Sequence, residues 1–388
     1  MNSVRARLWR FIVQTNPDGT SDIVATEVGQ GPLPVALSRL VHINALACDV
    51  RKVIDPRVRD QEVALLTSYL AGSTPGGPLT VDFPALLASS GHIGRFVAEC
   101  AGLGVMTAAS EALFMWKSGD GLHSFDVLPG HLVKRYGGGG VRPDLLFQMC
   151  CGPLAGEARG RRVRTKALFP AKETPQQRRR LLQLADWSAK HTDHAYFMSW
   201  VWIGPNGVSV DIFLPAGNDQ VESDLMLGWI EEPGHAVWEI RAERRRDVRR
   251  EAPAGPLIAD DSEPPLNSLT IGYDDPPLNE RVQSAEEHLD AALSRRFETS
   301  SDVEGSISDV AVRGRWVPAD GLGPATHEVL LGVLASRLPE HMTRRGRDER
   351  AEQNLDAYLD GRLLTVVRRI DEGRPSWEQI TEGLLEAP

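Results

Sequence analysis

The stretch from residue 142 to residue 166, RPDLLFQMCCGPLAGEARGRRVRTK, constrains the fold of this chain more than any other. An apolar strand is predicted after Pro143-Asp144, followed by a reversal at Gly152-Pro153 and a second strand that carries Glu157 and Arg159. Alternate residues of a strand point to one face, so Glu157 and Arg159 are expected to project together. The sequence therefore predicts a β-hairpin with a carboxylate on each strand.

The length of the hairpin loop decides whether Asp144 reaches Glu157. A two-residue turn at the Gly-Pro pair would set Asp144 opposite Arg161, about 13 Å from Glu157, which is too far to share one ion. A four-residue loop over residues 150–153 would set Asp144 opposite Arg159, with Glu157 diagonal to it. A site shared by the two carboxylates is therefore expected to require the wider loop.

Positive charge is concentrated directly after the hairpin. The net charge of the chain is −10, which argues against a protein whose whole surface binds nucleic acid. Between residues 159 and 180, however, Glu173 is the single acid among nine basic residues: Arg159, Arg161, Arg162, Arg164, Lys166, Lys172, Arg178, Arg179 and Arg180. Such a strip suits phosphate binding, and a solvated helix face balanced by acidic neighbours is the alternative.

Composition excludes several other classes of protein. With 388 residues, 41% of them hydrophobic, the chain can form two domains or one core with extensions. Four cysteines without CxxC spacing indicate reduced buried thiols rather than a zinc site or a disulfide framework. No apolar run approaches the roughly 18 residues of a membrane span, and the N-terminus lacks the pattern of a signal peptide. We expect a cytoplasmic protein without a membrane partner.

The hairpin resembles the metal-binding hairpin of the PD-(D/E)XK nuclease family. Pro143-Asp144 matches the first motif, and Glu157-Ala158-Arg159 matches the second, with arginine where the family usually carries lysine. A predicted helix over residues 175–191 and a buried strand over residues 195–203 then follow the family's order of strand, strand, helix, strand. The resemblance covers residues 83–214 and implies an α/β fold, a restriction-endonuclease-like mixed sheet core flanked by helices.

The resemblance also implies an activity and its residues. Members hydrolyse DNA with Mg²⁺ or Mn²⁺, and many are dimers, so a homodimer or a multi-protein complex is compatible with it. The implied metal ligands are Glu99, Asp144 and Glu157, and the implied catalytic residues are Asp144, Glu157, Arg159 and Gln177. Expected phosphate-binding residues are Arg161, Arg162, Arg164, Lys166 and Lys172. For Glu99 the alternative is an ordinary surface role, and for Gln177 it is a side chain that faces solvent.

The arginine at position 159 separates fold from activity. A guanidinium stays protonated, so Arg159 can stabilise a negatively charged transition state but cannot accept a proton. A metal-bound water needs such a base less, and Lys166 is a candidate for the missing amine. The rival hypothesis is a catalytically inactive protein with this fold that acts in nucleic-acid binding or complex assembly.

The rest of the chain is predicted to form three further segments. We place an N-terminal extension at residues 1–80, the nuclease-like core at 81–252, a linker rich in proline and acids at 253–280, and a mainly helical C-terminal module at 281–388. Within that module we expect a helix from Asn279, a strand over residues 310–318, and helices that start near Pro324, Arg347 and Ser376.

Overall fold

A computed structural model of the chain describes most of its length. The described residues are 2–50, 56–70, 77–114, 121–123, 143–149, 152–191, 194–217, 221, 278–300, 302–338 and 355–384. The glycine run at 137–140, the basic run at 241–250, residues 253–277 of the predicted linker and the predicted helix start at Arg347 lie outside these ranges.

A mixed seven-stranded sheet forms the larger part of the fold. Its strands follow the spatial order β2-β1-β7-β6-β5-β4-β3. The pairs β1/β7 and β5/β6 are parallel, and the other neighbours are antiparallel. The strand bounds are β1 Asn2–Thr15, β2 Ser21–Val35, β3 Gly121–His123, β4 Leu145–Met149, β5 Gly152–Arg162, β6 Tyr196–Gly204 and β7 Gly207–Pro215.

Seven α-helices accompany the strands in the described ranges. Their bounds are α1 Leu37–Val50, α2 Pro56–Leu70, α3 Phe83–Ala88, α4 Gly91–Leu113, α5 Pro175–Lys190, α6 Leu278–Thr299 and α7 Trp377–Leu384. The predicted helix after residue 175 and the buried strand after it are thus confirmed as α5 and β6. Helix α5 begins with a capping box, in which the Thr174 side chain accepts from the Gln177 backbone N–H and the Gln177 side chain accepts from the Thr174 backbone N–H.

Two strands of the N-terminal region, β1 and β2, belong to the same sheet as the hairpin. Strand β1 lies parallel to β7, with Arg5 opposite Ser209 and Phe11 opposite Pro215. The sheet therefore crosses the boundary that we placed at residue 81. The stretch from residue 2 to residue 15 forms one long strand.

The prediction of a mainly helical C-terminal module is wrong. A five-stranded antiparallel sheet of order β11-β12-β10-β9-β8 follows α6. Its strands are β8 Val303–Ile307, β9 Val310–Pro318, β10 His327–Leu334, β11 Asp356–Asp360 and β12 Leu363–Arg369, followed by a 3₁₀ turn at Ile370–Glu372. The apolar run after Pro324 is a buried strand, because β9 and β12 flank it on both sides. The helix predicted near Ser376 is confirmed as α7, since Ser376 Oγ accepts from the Gln379 N–H at 3.2 Å.

Helices fill the space between the two sheets. Helix α1 packs on α4 and also on β11 and β12, while α2 packs on β9 and β10. One apolar core accordingly includes Leu8 and Val201 of the larger sheet together with Val329 and Leu363 of the smaller one. The two sheets and the helical layer between them share a single core.

Helix α4 is long and apolar enough to cross a membrane by length and composition alone. Its apolar window has a mean hydropathy of 1.3, but 72% of that window is buried inside the protein. Cys100 lies among its buried residues. The helix serves as the central core helix, packed against β5 and α1.

Candidate active site

The register of the hairpin differs from both of the loops considered above. Met149 pairs with Gly152 and Leu145 pairs with Gly156, so the strands are joined through residues 150–151 and the Gly152-Pro153 pair belongs to β5. The expected reversal at Gly152-Pro153 is wrong, because cross-strand pairing includes that dipeptide in the ladder. The ladder ends at the Leu145–Gly156 pair, and Asp144 lies one residue before it. Asp144 is hydrogen-bonded to the residues on either side of Glu157, since its N–H donates to the Gly156 carbonyl and its Oδ2 accepts from the Ala158 N–H.

The site lies where β4 ends and β5 continues alone on that side. In the described ranges, β5 beyond Gly156 pairs with β6 only. On one face Ala158 packs in the core below α4, and on the other Glu157 contacts α5. A Cβ added to Gly160 would lie 1.7 Å from the Ala98 carbonyl oxygen, so glycine there allows α4 its close approach to β5.

Glu157 is fully buried and carries two guanidinium groups on one oxygen. Its Oε1 accepts from Arg180 Nε and Nη2, each at 2.6 Å, and lies 2.8 Å from Arg159 Nη2. A buried carboxylate is costly without such compensation. Arg159 and Arg180 are 22% and 17% exposed, so the cations, rather than the carboxylate, meet solvent.

Asp144 is tied to the same arrangement by its backbone and its side chain. Its N–H donates to the Gly156 carbonyl at 2.9 Å, and its Oδ2 accepts from the Ala158 N–H at 2.9 Å. Arg159 Nη1 lies 3.9 Å from Asp144 Oδ2. One guanidinium therefore spans the carboxylates of both strands.

Glu99 joins these groups through electrostatic interactions from α4. Desolvation by the surrounding protein raises the pKa of its carboxyl although the side chain keeps contact with solvent. Arg159, Arg95 and Arg161 oppose that shift of the pKa, and Asp144 reinforces it. Glu99 therefore lies within electrostatic range of Asp144 and Arg159.

The side chain of Gln177 lies away from the carboxylates of the hairpin. It is fully buried, and its Nε2 donates to Asp211 Oδ2 at 3.1 Å, while its Oε1 accepts from the Thr174 N–H at 2.7 Å. The expectation of a solvent-facing side chain is wrong, because Asp211 is a fully buried carboxylate that needs donors. Arg7 at 2.6 Å and the indoles of Trp9 and Trp202 complete its shell. The amide of Gln177 is engaged in this interior network, not at the hairpin.

The basic residues after the hairpin divide into two groups. Arg161 stacks over the Trp200 ring, 5.5 Å from its centroid, and Arg162 lies against Gly94 and donates to the Leu86 carbonyl at 3.4 Å. These two side chains pack on the fold. The three remaining predicted phosphate ligands are exposed on the loop before α5, namely Arg164, Lys166 and Lys172.

That loop is fixed to the sheet below it. Asn206 Nδ2 donates to the Lys166 carbonyl at 2.6 Å, Ser209 Oγ donates to the Leu168 carbonyl, and Arg7 Nη1 donates to the Pro170 carbonyl at 2.9 Å. The exposed cations are thus held on an anchored backbone.

Sequence reasoning missed the role of Arg180. It was counted only as part of the basic strip, yet it makes the shortest contacts to Glu157. A signal was present in the helical spacing: Arg180 follows Gln177 by three residues and precedes Leu184 by four, and both are buried. Residues so spaced share one face, which here is the face of α5 directed at the sheet. Arg95, which interacts with Glu99, was missed as well.

No family model, curated protein or solved structure matches this chain. The chemistry of the site is therefore argued from its own geometry.

The donor set of the site fits a hard divalent cation by its chemistry. Asp144, Glu157 and Glu99 offer carboxylate oxygens, the ligands that Mg²⁺ prefers. Within the described ranges no group of three or more His, Cys, Asp or Glu side chains is already arranged to hold a metal ion. Arg159 and Arg180 provide positive charge at Glu157 Oε1 instead, and a cation would compete with them for that oxygen.

Proposed function

We propose that this chain is a metal-dependent nuclease that hydrolyses phosphodiester bonds in DNA. The observation that carries the proposal is that Arg159 lies 3.9 Å from Asp144 Oδ2 and 2.8 Å from Glu157 Oε1, so one guanidinium brings both carboxylates of the motif together. The order α4, β3, β4, β5, α5, β6, with β5 and β6 parallel, supports a restriction-endonuclease-like core. The basic loop before α5 supports a phosphate-bearing substrate.

Asp144 and Glu157 are the residues that would hold the ion, with Glu99 beside them. Bound Mg²⁺ or Mn²⁺ supplies Lewis acidity toward the phosphate and lowers the pKa of a coordinated water. The Ala158 N–H donates to one oxygen of the Asp144 carboxylate and so fixes the orientation of the group.

Arg159 supplies charge stabilisation rather than proton transfer. Its guanidinium lies between the carboxylates and solvent, where it can neutralise the negative charge that accumulates on the phosphate. The proton of the attacking water needs another acceptor. Glu99 is suited to that role, since a raised pKa makes a carboxylate a better base, and Lys166 remains the second candidate.

The test is cleavage of supercoiled plasmid DNA by the full-length protein. Nicking in Mg²⁺ or Mn²⁺ that stops in excess EDTA is the expected result. The absence of nicking with either ion, on DNA and on RNA, would reject the proposal.

A second candidate function is nucleic-acid binding without cleavage. It is favoured by Glu157 Oε1, which two arginines already hold at 2.6–2.8 Å. A carboxylate so strongly compensated is less available to a cation. Salt-sensitive binding of duplex DNA by a protein that never nicks it would support this second function over the first.

A further inference from the structure

Two guanidinium groups contact the carboxylate of Glu157. Arg159 and Arg180 place three N–H groups on a single oxygen, Oε1. Arg159 also lies 3.9 Å from Asp144 Oδ2, so it has a second carboxylate as a partner, whereas both short contacts of Arg180 are to Glu157. The exposed cations of the loop before α5 favour an anion as a ligand on this side of the molecule.

Arg180 is the arginine that is able to change partners. Its Nε and Nη2 form the fork that matches two oxygens of a phosphate, but in the structure both nitrogens contact one carboxylate oxygen. Its side chain is 17% exposed, so a ligand at the surface reaches it. Its remaining contact is weak, a 3.5 Å approach of Nη1 to Gln183 Oε1.

Neighbouring arginines are committed to the fold. Arg161 lies over Trp200, and Arg162 is enclosed by α3 and α4 through Leu86 and Gly94. Arg159 is bound between both carboxylates. If Arg180 leaves, Glu157 still has Arg159 as its ion-pair partner, so the exchange does not strand a buried charge.

We infer that Arg180 is a ligand of the substrate phosphate. When substrate binds, the Arg180 guanidinium leaves the Glu157 carboxylate and contacts two non-bridging oxygens of the phosphodiester. This inference rests on the proposed function for the identity of its substrate. The exchange also releases one competitor from Glu157 Oε1, so that phosphate binding and access to that carboxylate are coupled.

The test compares Arg180→Met with Arg295→Met, an exposed arginine of α6 that lies outside the basic strip. Binding of a labelled 20-base-pair duplex is measured in EDTA between 50 and 200 mM KCl. Loss of one phosphate contact lowers the slope of log affinity against log salt by about one. We expect that change and weaker binding for Arg180→Met; wild-type affinity and slope for this variant would overturn the inference.

A rate measurement separates Arg180 from general surface charge. At saturating DNA we expect Arg180→Met to nick about 100-fold more slowly, as for the loss of one transition-state donor, and Arg295→Met to stay within about twofold of wild type. Equal nicking rates for Arg180→Met and wild type would overturn the inference while the proposed function stands.

Arg180→Lys keeps the charge and serves as the second variant if Arg180→Met does not fold. Lysine cannot supply the fork, so the salt slope should stay and nicking should slow by about tenfold. Wild-type nicking by Arg180→Lys would count against the phosphate fork. The binding measurement needs no cleavage: a wild type that binds but never nicks rejects the proposed function alone, and a wild type that binds no duplex rejects both.

Discussion

Glu157 is a buried carboxylate whose chemistry depends on how firmly two arginines hold it. Arg159 and Arg180 share one oxygen of this carboxylate. Arginine is the better residue for a bidentate contact and the worse one for proton transfer. The proposed reaction therefore assigns charge stabilisation to the arginines and proton transfer to another group.

Glu99 gives a test of that assignment through the pH dependence of stability. Its folded-state pKa is raised, so the stability that its protonated form contributes is present below the ordinary glutamate pKa and is lost as pH rises through the folded value. Glu99→Gln should raise Tm relative to wild type at about pH 7 and leave it unchanged at about pH 4. It should also slow nicking, because the base is lost.

Thermal unfolding across that pH range checks the prediction. Glu298→Gln, which removes an exposed carboxylate from α6, is the control for loss of one negative charge. A Tm difference between Glu99→Gln and wild type that is the same at both pH values would contradict the assigned cause.

At the scale of elements, the contact of α4 with β5 sets the position of the site. Gly160 faces the Ala98 carbonyl, and a Cβ on Gly102 would lie 3.0 Å from the Arg159 backbone carbon. Glu99 follows Ala98 directly in α4. The distance between helix and strand therefore also controls how Glu99 interacts with Arg159.

Gly160→Ala should force α4 away from β5. The added Cβ meets backbone rather than a flexible side chain, so we expect a loss of about 2–3 kcal/mol in the free energy of unfolding. Gly91→Ala is the matched control, since nothing lies within 4 Å of its added Cβ, and it should be neutral or stabilising by up to about 1 kcal/mol. Urea unfolding measures both; the same midpoint for Gly160→Ala and wild type would refute the packing argument.

The sequence predicted the type and position of several helices and strands, but it did not predict how the strands pair. Periodicity and capping residues predicted α5, β6, α6, β9 and the start of α7 at Ser376. The local turn signal of Gly152-Pro153 was overridden by strand pairing, which a single sequence does not encode locally. The sequence indicated a helix at His327–Leu334 because this run lacks the alternation of apolar and polar residues that marks a half-exposed strand. It forms a central strand, with a neighbouring strand on each side.

The site was predictable to the extent that local spacing controls it. Asp144, Glu157 and Arg159 lie on two strands of one hairpin, and Glu99 was found by its place on an apolar helix. Arg180 and Asp211 reach their partners across 23 and 34 residues of chain, so only the folded arrangement connects them. Long-range pairing of charges is the part that motif reading missed.

For the whole molecule, the shared core predicts joint unfolding of the two sheets. Asp356 of the smaller sheet caps α1, accepting from the Leu37 N–H at 2.9 Å and the Ser38 N–H at 3.1 Å. Helix α1 in turn packs on α4, which lies under the hairpin. The smaller sheet thus supports the helical layer on which the site rests.

Urea unfolding followed by far-UV circular dichroism and by tryptophan fluorescence should give coincident transitions. Asp356→Ala removes the cap and should move both midpoints together, with a loss of about 1 kcal/mol. Two separated transitions, or a shift seen by one probe alone, would mean that the sheets unfold independently.

The most direct measurement of the central claim is plasmid nicking by Asp144→Ala beside Asp186→Ala. Asp144 lies within 3.9 Å of Arg159 beside the Glu157 carboxylate, whereas Asp186 is an exposed acid of α5 paired with Lys190. With Mg²⁺ or Mn²⁺, the account predicts that Asp144→Ala loses nicking by at least about 100-fold and that Asp186→Ala matches wild type. Equal nicking by wild type and Asp144→Ala would show that the hairpin is not the catalytic site.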